Sequence, residues 1–200
     1  MNKLVLLSFF SLLSITLIAQ EKPEGLFINS KAPEIKGKDQ NGNEVSLKDL
    51  RKKGPVVIIF YRGFWCPYCN KELGKLEDSL QLIYEKGAKL IAVTPEKTEG
   101  IGKTVEKTKA EFPIISDEDM KIMKAYDVAY KVDEKTVSRY KMANIDLAEN
   151  NGQKLDAVTL PVPAVYIINK DGEISYRFFD ADYKKRPTVK DILDNLVGLK

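Results

Sequence analysis

The sequence of 200 residues contains no histidine and only two cysteines. The missing histidine excludes Ser–His and Cys–His nucleophile pairs and every metal site that uses imidazole ligands. Acid–base chemistry must therefore come from cysteine, aspartate, glutamate, lysine or tyrosine. An excess of one charge is also missing, because 32 basic residues oppose 29 acidic ones and leave a net charge of +3. Such a balanced chain lacks the electrostatic footprint of a nucleic-acid-binding protein, and we expect no nucleic-acid partner.

Long apolar runs are absent except at the start, where residues 4–19 carry no charge. Lys3 precedes this run, and the small residue Ala19 precedes polar Gln20. A basic start, an apolar middle and a small residue at the end are typical of a secretion signal. The run is also short for a membrane span. We predict a signal peptide at 1–19 that is cleaved after Ala19 and leaves no stable membrane span; an uncleaved anchor is the alternative.

The rest of the chain indicates one domain at 34–200, preceded by an extended lead-in at 20–33. An Asn-Gly step at Asn41 between two short alternating runs predicts a β-hairpin near the start of the domain. Strand and helix patterns then alternate, which predicts an α/β fold with a mixed central sheet. Residues 127–158 form a polar excursion with some helix. The predicted strands lie at 56–61, 89–94, 113–115, 164–168 and 173–179, and the predicted helices at 67–86, 98–110, 118–126 and 187–196.

Both cysteines lie in the segment FYRGFWCPYC, with Cys66 at the mouth of a predicted helix and Cys69 one turn inside it. Residues three apart share a helical face, so the two sulfurs can meet. The free N–H groups and the dipole at a helix start favour the nucleophilic thiolate. Arg62 adds positive potential if its side chain turns toward the pair. Trp65 and Tyr68 would supply apolar cover and a surface for an extended peptide.

Three other interpretations of the cysteine pair are weaker. Zinc usually needs four ligands, and two cysteines without histidine supply half of them. A structural disulfide that closes so short a loop contributes only about 2 kcal/mol, against roughly 4.7 kcal/mol for a loop of 100 residues. Two incidental buried thiols are the third alternative. The pattern favours a redox-active pair.

Pro163 follows Val162 at the start of a predicted strand. Such a proline can adopt the cis isomer, and its missing N–H would leave neighbouring backbone free to pair with an incoming peptide. An ordinary proline at a strand start fits the spacing equally well.

Together these segments resemble the thioredoxin superfamily, specifically the redoxin branch with the alkyl hydroperoxide reductase and thiol-specific antioxidant proteins. The resemblance covers about residues 30–198 and rests on APEIKGKDQNGNEVSL, VVIIFYRGFWCPYC, LIAVTP and LPVPAVYIINKDGEI. It implies a thioredoxin-like three-layer sandwich with an N-terminal β-hairpin. The CPYC motif, with Pro67 between the cysteines, resembles the dithiol motif of glutaredoxins. Trp65 before the motif resembles the tryptophan that precedes the dithiol of thioredoxins. The resemblance also implies a cis-proline at Pro163.

The resemblance permits two alignments of the cysteines. Against the peroxiredoxin motif, Cys69 takes the peroxide-attacking position, Cys66 the hydroxyl position and Arg62 the proline position. Pro163 stands where peroxiredoxins use an arginine, so charge would have to come from Arg139 or Arg177.

The disulfide reductases match at more positions, because the C-x-x-C motif, the tryptophan and the proline are all present. They differ at Ile59 and Phe60, which lie near the place where thioredoxins have a buried acid. Glu72 and Glu96 are candidate substitutes for that acid in proton transfer.

We therefore expect a secreted thiol–disulfide oxidoreductase in a bacterial periplasm or cell envelope, in which Cys66, the more exposed sulfur, attacks and Cys69 resolves. Its expected partners are a protein or small-molecule disulfide and a thioredoxin-like electron donor, and no bound cofactor is needed. The first alternative is a peroxiredoxin-like peroxidase that reduces hydroperoxides, with Cys69 peroxidatic and Cys66 resolving. The second is a non-catalytic redoxin domain that binds a partner through the same surface.

Overall fold

The structure is a computed structural model that describes residues 22–199, so the predicted signal peptide lies outside the described residues. The strands are β1 (Lys36–Lys38), β2 (Glu44–Ser46), β3 (Val56–Phe60), β4 (Lys89–Thr94), β5 (Ile114–Ser116), β6 (Ala129–Lys131), β7 (Thr159–Pro161), β8 (Ala164–Ile168) and β9 (Ile174–Phe179). A five-stranded mixed sheet with the order β5-β4-β3-β8-β9 forms the centre of the structure. The helices are α1 (Leu47–Arg51), α2 (Pro67–Asp78), α3 (Leu80–Glu85), α4 (Thr98–Thr108), α5 (Lys121–Ala125), α6 (Glu134–Met142), α7 (Leu147–Asn150) and α8 (Val189–Asn195), with a 3-10 turn at Leu155–Ala157.

The middle strand β3 carries the site, and every one of its residues is 0% exposed. It pairs in parallel with β4 and antiparallel with β8, which accounts for a continuous β-branched and aromatic run with both faces covered. A βα connection leads from β3 to α2, so the segment after Phe60 emerges at the carboxyl end of the strand. Ligands of open α/β sheets usually bind at this end.

Helices cover both faces of the sheet and make the three-layer sandwich that the resemblance implies. One buried cluster joins the sheet to α2, α3, α4 and α8 through residues such as Leu73, Ile101 and Ile192. The other joins the opposite face to α1, α5 and the β1–β2 hairpin through residues such as Leu47 and Met123. The alternation of strands and helices therefore predicted the α/β class correctly.

The polar excursion at 127–158 has a small core of its own. Strands β6 and β7 pair antiparallel and enclose α6, α7 and the 3-10 turn. The buried residues are Val132, Val137, Leu147, Ala148, Val158 and Leu160, with Trp65 packed against them. Because the two strands are short and distant in sequence, the sequence pattern predicted only part of this unit.

Two predicted helices differ in detail from the structure. The helix predicted at 67–86 is divided at Ser79, where φ −111° and ψ 8° leave the helical region between α2 and α3. Pro187 was predicted in the first turn of the last helix, but it precedes the N-cap Thr188. Within residues 22–199, no helix combines the length and apolar character that crossing a membrane requires.

Candidate active site

The two cysteines form a disulfide across the first turn of α2, with Cα atoms 5.3 Å apart. Cys66 is the N-cap of the helix, and its sulfur accepts a hydrogen bond from the Cys69 backbone N–H at 3.3 Å. Pro67 occupies the first helical position, where its missing N–H costs no hydrogen bond. The helix thus presents its free N–H groups to Cys66, the arrangement that stabilises a thiolate there.

Both sulfurs are covered, because Cys66 is 1% exposed and Cys69 is 0% exposed. Cys66, expected to be the more exposed sulfur, is thus almost as covered as Cys69 in the disulfide form. Tyr68 lies outside the pair and meets Tyr183 edge to face at a centroid distance of 5.9 Å. The residues between β9 and α8 thus lie next to the dithiol.

The same loop places Arg186 next to the sulfur of Cys69. Its Nη2 lies 3.5 Å from Cys69 Sγ, and its Nε donates to Glu72 Oε2 at 2.5 Å. Its Nη1 donates to the carbonyls of Tyr183 and Lys185 at 2.6 Å each. Arg186 belongs to the short basic run Lys184-Lys185-Arg186, which by itself suggests an ordinary solvated loop. No sequence signal indicates that Arg186 contacts Cys69, a cysteine 117 positions earlier.

Glu72, one of the two candidate acids, lies one turn after Cys69 on α2 and is 8% exposed. Burial raises its pKa from 4.5 to about 7, against the opposing charge of Arg186. Its second oxygen, Oε1, is buried without a hydrogen-bond partner. A carboxyl with this pKa can bind and release a proton near neutral pH.

Glu96, the other candidate acid, supports the backbone before the dithiol. It is 0% exposed, and its Oε1 accepts the Phe64 N–H at 2.7 Å. Burial raises its pKa to about 7, opposed by hydrogen bonds that include those from Phe64 and Tyr61. A side chain at Gly63 would lie 2.7 Å from this oxygen, and φ of +149° there further favours glycine. Glu96 therefore acts on the loop, whereas Glu72 shares a guanidinium with Cys69.

Arg62, four residues before Cys66, is also buried, with 3% of its surface exposed. Its guanidinium carbon lies 4.9 Å from the ring centroid of Trp65, 5.6 Å from that of Tyr140 and 4.3 Å from that of Tyr183. Nη2 donates to the Tyr140 hydroxyl, and Nε has no hydrogen-bond partner. The polar excursion thus contributes an aromatic ring from α6 to the site, a contribution that its weak periodicity did not predict.

Val162 and Pro163 form the buried link between β7 and β8. No peptide bond in residues 22–199 is cis, so the cis isomer expected at Pro163 is wrong for this structure. The Val162 N–H donates to the Val128 carbonyl at 2.8 Å, which prolongs the pairing of β7 and keeps the chain extended into Pro163. One backbone group that was expected to be free for an incoming peptide is therefore occupied.

The two arginines considered as substitutes for a peroxiredoxin arginine lie elsewhere. Arg139 is exposed on α6. Arg177 stacks on Phe27 and Phe179 and donates to the Glu24 carbonyl. The structure brings Arg186 to the sulfur instead.

Comparison with known proteins gives relatives of both chemical kinds. The thiol-disulfide oxidoreductase ResA of Bacillus cereus is 25% identical over 164 residues, which cover 82% of this chain and 76% of that protein. The peroxiredoxin Bcp of Bacillus subtilis is 34% identical over 101 residues, which cover 50% of this chain and 64% of that protein.

Solved structures of both kinds share the fold. Peroxidoxin BcpB from Mycobacterium tuberculosis superposes with a TM-score of 0.66 at 18% identity, covering 86% of this chain and 97% of that one. The thioredoxin domain of a thiol-disulfide oxidoreductase from Bacteroides vulgatus gives 0.55 at 21% identity, covering 80% and 93%. The relatives support a thiol-dependent redox function without deciding its type. A model described as the AhpC/TSA family matches residues 28–177, most of the chain, and the protein therefore belongs to the AhpC/TSA family.

Proposed function

We propose that the protein is a secreted thiol–disulfide oxidoreductase that exchanges electrons through Cys66 and Cys69. The observation that carries this proposal is the position of Cys66 as N-cap of α2, with its sulfur accepting the Cys69 N–H. This geometry favours a thiolate on Cys66 when the pair is reduced. Cys69 lies within bonding distance behind it, where a resolving thiol is needed.

In the exchange, the Cys66 thiolate attacks one sulfur of a substrate disulfide, and the other substrate sulfur leaves and takes up a proton. Cys69 then attacks the Cys66 sulfur, re-forms the protein disulfide and releases the second substrate thiol. The substrate gains two electrons and two protons, and a thioredoxin-like dithiol donor returns them to the protein. No bound cofactor is needed.

Cys69 must lose its proton before it attacks the mixed disulfide, and Glu72 is positioned to accept that proton. Arg186 contacts both the Cys69 sulfur and the Glu72 carboxylate. If both groups were negatively charged, they would repel each other across the single guanidinium, so a thiolate on Cys69 favours a protonated Glu72. When Cys69 becomes a thiolate, the proton passes to Glu72, whose pKa of about 7 suits the transfer. We assign Glu72 as the proton-transfer acid and Glu96 to support of the loop.

Paired cysteine variants test the order of attack. We expect Cys69→Ser to accumulate mixed disulfides through Cys66, visible by mass spectrometry after incubation with an oxidised peptide. Cys66→Ser should lose disulfide reduction altogether. If Cys66→Ser still forms mixed disulfides as fast as Cys69→Ser does, the proposed order is wrong.

A peroxidase of the peroxiredoxin kind is the second candidate, and the contact of Arg186 with Cys69 Sγ favours it. The Cys69 thiolate would attack the peroxide O–O bond, form a sulfenic acid and release an alcohol or water. The Cys66 thiol would then condense with it, lose water and give the disulfide. Here Cys66→Ser should retain a sulfenate on Cys69 that a dimedone-type reagent captures. If neither cysteine variant alters disulfide reduction or peroxide consumption, both candidates fail and a non-catalytic binding domain remains.

Secretion completes the proposal. The basic, apolar and small-residue order of 1–19 supports export to a bacterial periplasm or cell envelope, where disulfide chemistry is common. N-terminal sequencing of the protein from an envelope fraction should begin at Gln20. Recovery of the intact N-terminus in the membrane fraction would favour the uncleaved anchor instead.

A further inference from the structure

Arg62 and Arg186 are both buried beside the dithiol, but only Arg186 has a carboxylate partner. Arg186 pairs with Glu72, whereas no aspartate or glutamate of residues 22–199 lies within 4.0 Å of the Arg62 guanidinium nitrogens. An unpaired ion taken out of water costs several kcal/mol, so a buried guanidinium without an anion needs a reason.

Three aromatic rings fix the orientation of the Arg62 guanidinium but do not accept hydrogen bonds from all of its N–H groups. Trp65 comes from the dithiol segment, Tyr140 from α6 and Tyr183 from the loop after β9. Their ring faces offset part of the desolvation cost of the cation. A ring face accepts no conventional hydrogen bond in the guanidinium plane, and Nε is left with no partner at all. Nε is therefore free to donate to a carboxylate, next to an Nη2 that already donates to Tyr140.

Two lysines lie close to the segment that leads into the dithiol. The ammonium groups of Lys103 and Lys107, both exposed on α4, lie 4.6 and 5.1 Å from the ring centroid of Phe64, just before the cysteines. The Glu72 and Glu96 carboxylates, by contrast, are buried and are held by Arg186 and the Phe64 N–H. The two lysines attract an approaching anion and raise its local concentration.

We propose that Arg62 binds a carboxylate carried by the substrate next to the disulfide that Cys66 attacks. This inference rests on the proposed exchange function and names its substrate class: acidic disulfides, in which a carboxylate lies within a few bonds of the sulfur. Tyr183 packs on Arg62 and also meets Tyr68, which lies between the two cysteines in sequence, so one side chain connects the guanidinium with the dithiol segment.

The test compares two small disulfides of similar size, dithiodipropionate with two carboxylates and hydroxyethyl disulfide with none. We expect the reduced full-length protein to prefer the dianion, measured as the ratio of the two kcat/KM values. Arg62→Met should lower that ratio by about tenfold, the factor that one charge-assisted hydrogen bond provides. Arg62→Lys, which keeps the charge but loses the guanidinium geometry, should give an intermediate ratio. Arg139→Met, which removes an exposed arginine from α6, is the matched control and should leave the ratio unchanged.

A peptide arm distinguishes a side-chain carboxylate from that of a free small molecule. Two otherwise identical oxidised peptides carry either Glu or Gln next to the cystine, and the same ratio is measured. A preference for Glu that disappears in Arg62→Met assigns the site to acidic protein segments. A preference confined to dithiodipropionate assigns it to small disulfides.

Several outcomes would overturn the inference. If Arg62→Met lowers activity on charged and neutral disulfides equally, Arg62 has only a structural role, and the exchange function stands. If the wild-type protein reduces neither disulfide, the proposed function itself has failed. If Arg62→Met does not fold, Arg62→Lys and the salt dependence of the wild-type protein replace it as tests. In the wild type, a ratio of the two kcat/KM values that does not fall as the salt concentration rises contradicts binding through charge.

Discussion

The two sulfurs of one disulfide lie in different electrostatic surroundings. Cys66 caps α2 and follows Arg62, a buried arginine that is held by aromatic rings and has no carboxylate partner within residues 22–199, whereas Cys69 contacts an arginine that is already paired with Glu72. This difference suits a division in which Cys66 meets the substrate and Cys69 exchanges a proton with a fixed acid.

Of the variants considered, removal of Arg186 should have the largest effect on the free energy of unfolding. At pH values well above 7, where Glu72 is ionised, Arg186→Met leaves the Glu72 carboxylate buried without a partner, and breaking a buried pair in this way costs about 3–5 kcal/mol. Arg62→Met should cost less, because it strands no carboxylate. Urea denaturation of both variants measures the difference in the free energy of unfolding.

A double variant controls this prediction. Arg186→Met combined with Glu72→Leu removes both charges and should recover much of the lost stability. If the double variant is as unstable as Arg186→Met alone, the loss comes from packing of the arginine and the charge argument is wrong.

The pH dependence of stability gives the next largest effect. The pKa values of Glu72 and Glu96 rise from 4.5 to about 7 on folding, so the folded state holds protons that the unfolded state has lost. Stability should therefore fall as pH rises from about 4.5 to 7, by on the order of 3 kcal/mol for each acid. Glu72→Gln and Glu96→Gln should each flatten part of this decline in denaturation curves taken across the range.

The two acids separate in a kinetic readout. Glu72→Gln should also change the pH profile of mixed-disulfide resolution, which depends on Cys69, and Glu96→Gln should not change it. The exposed Glu106→Gln is the control for both measurements. Equal shifts of the resolution profile in both buried variants would remove the assignment of Glu72 as the specific proton acceptor.

Two glycines near the dithiol give the smallest effect, with opposite signs. A Cβ at Gly63 would lie 2.5 Å from Trp65 Nε1 and 2.7 Å from Glu96 Oε1, so Gly63→Ala should destabilise the protein by about 1–3 kcal/mol. Gly74 lies inside α2 with open space around it, and Gly74→Ala should stabilise by about 0.5–1 kcal/mol. Thermal unfolding distinguishes them, and a stabilising Gly63→Ala would contradict the close packing before the cysteines.

Local patterns predicted the framework and the position of the dithiol. The run from Val56 to Phe60 could be recognised as a doubly covered strand because all its side chains are apolar. The Asn41-Gly42 step predicted the first hairpin, in which Gly42 has φ of +82°. The Cys66–Cys69 spacing predicted a pair on one helical turn. Each of these signals lies within a few residues of the feature that it specifies.

The surroundings of the dithiol depend on contacts between distant segments. Arg186 and Tyr140 reach the site from 117 residues after Cys69 and 78 residues after Arg62, and nothing in their neighbours indicates it. The isomer at Pro163 was predicted from resemblance, but it depends on how β7 enters β8. Sequence pattern describes elements, whereas these properties arise only when the elements pack.

The contact between Arg186 and Cys69 has a consequence for the order in which the chain is made. Tyr183 and Arg186 lie beyond residue 177, where the match to the family ends, and they are synthesised long after the cysteines. The contact with Cys69 can therefore form only after the segment before α8 has been synthesised and has packed beside α2. Until then, Cys69 lacks the guanidinium that lies beside it in the finished protein.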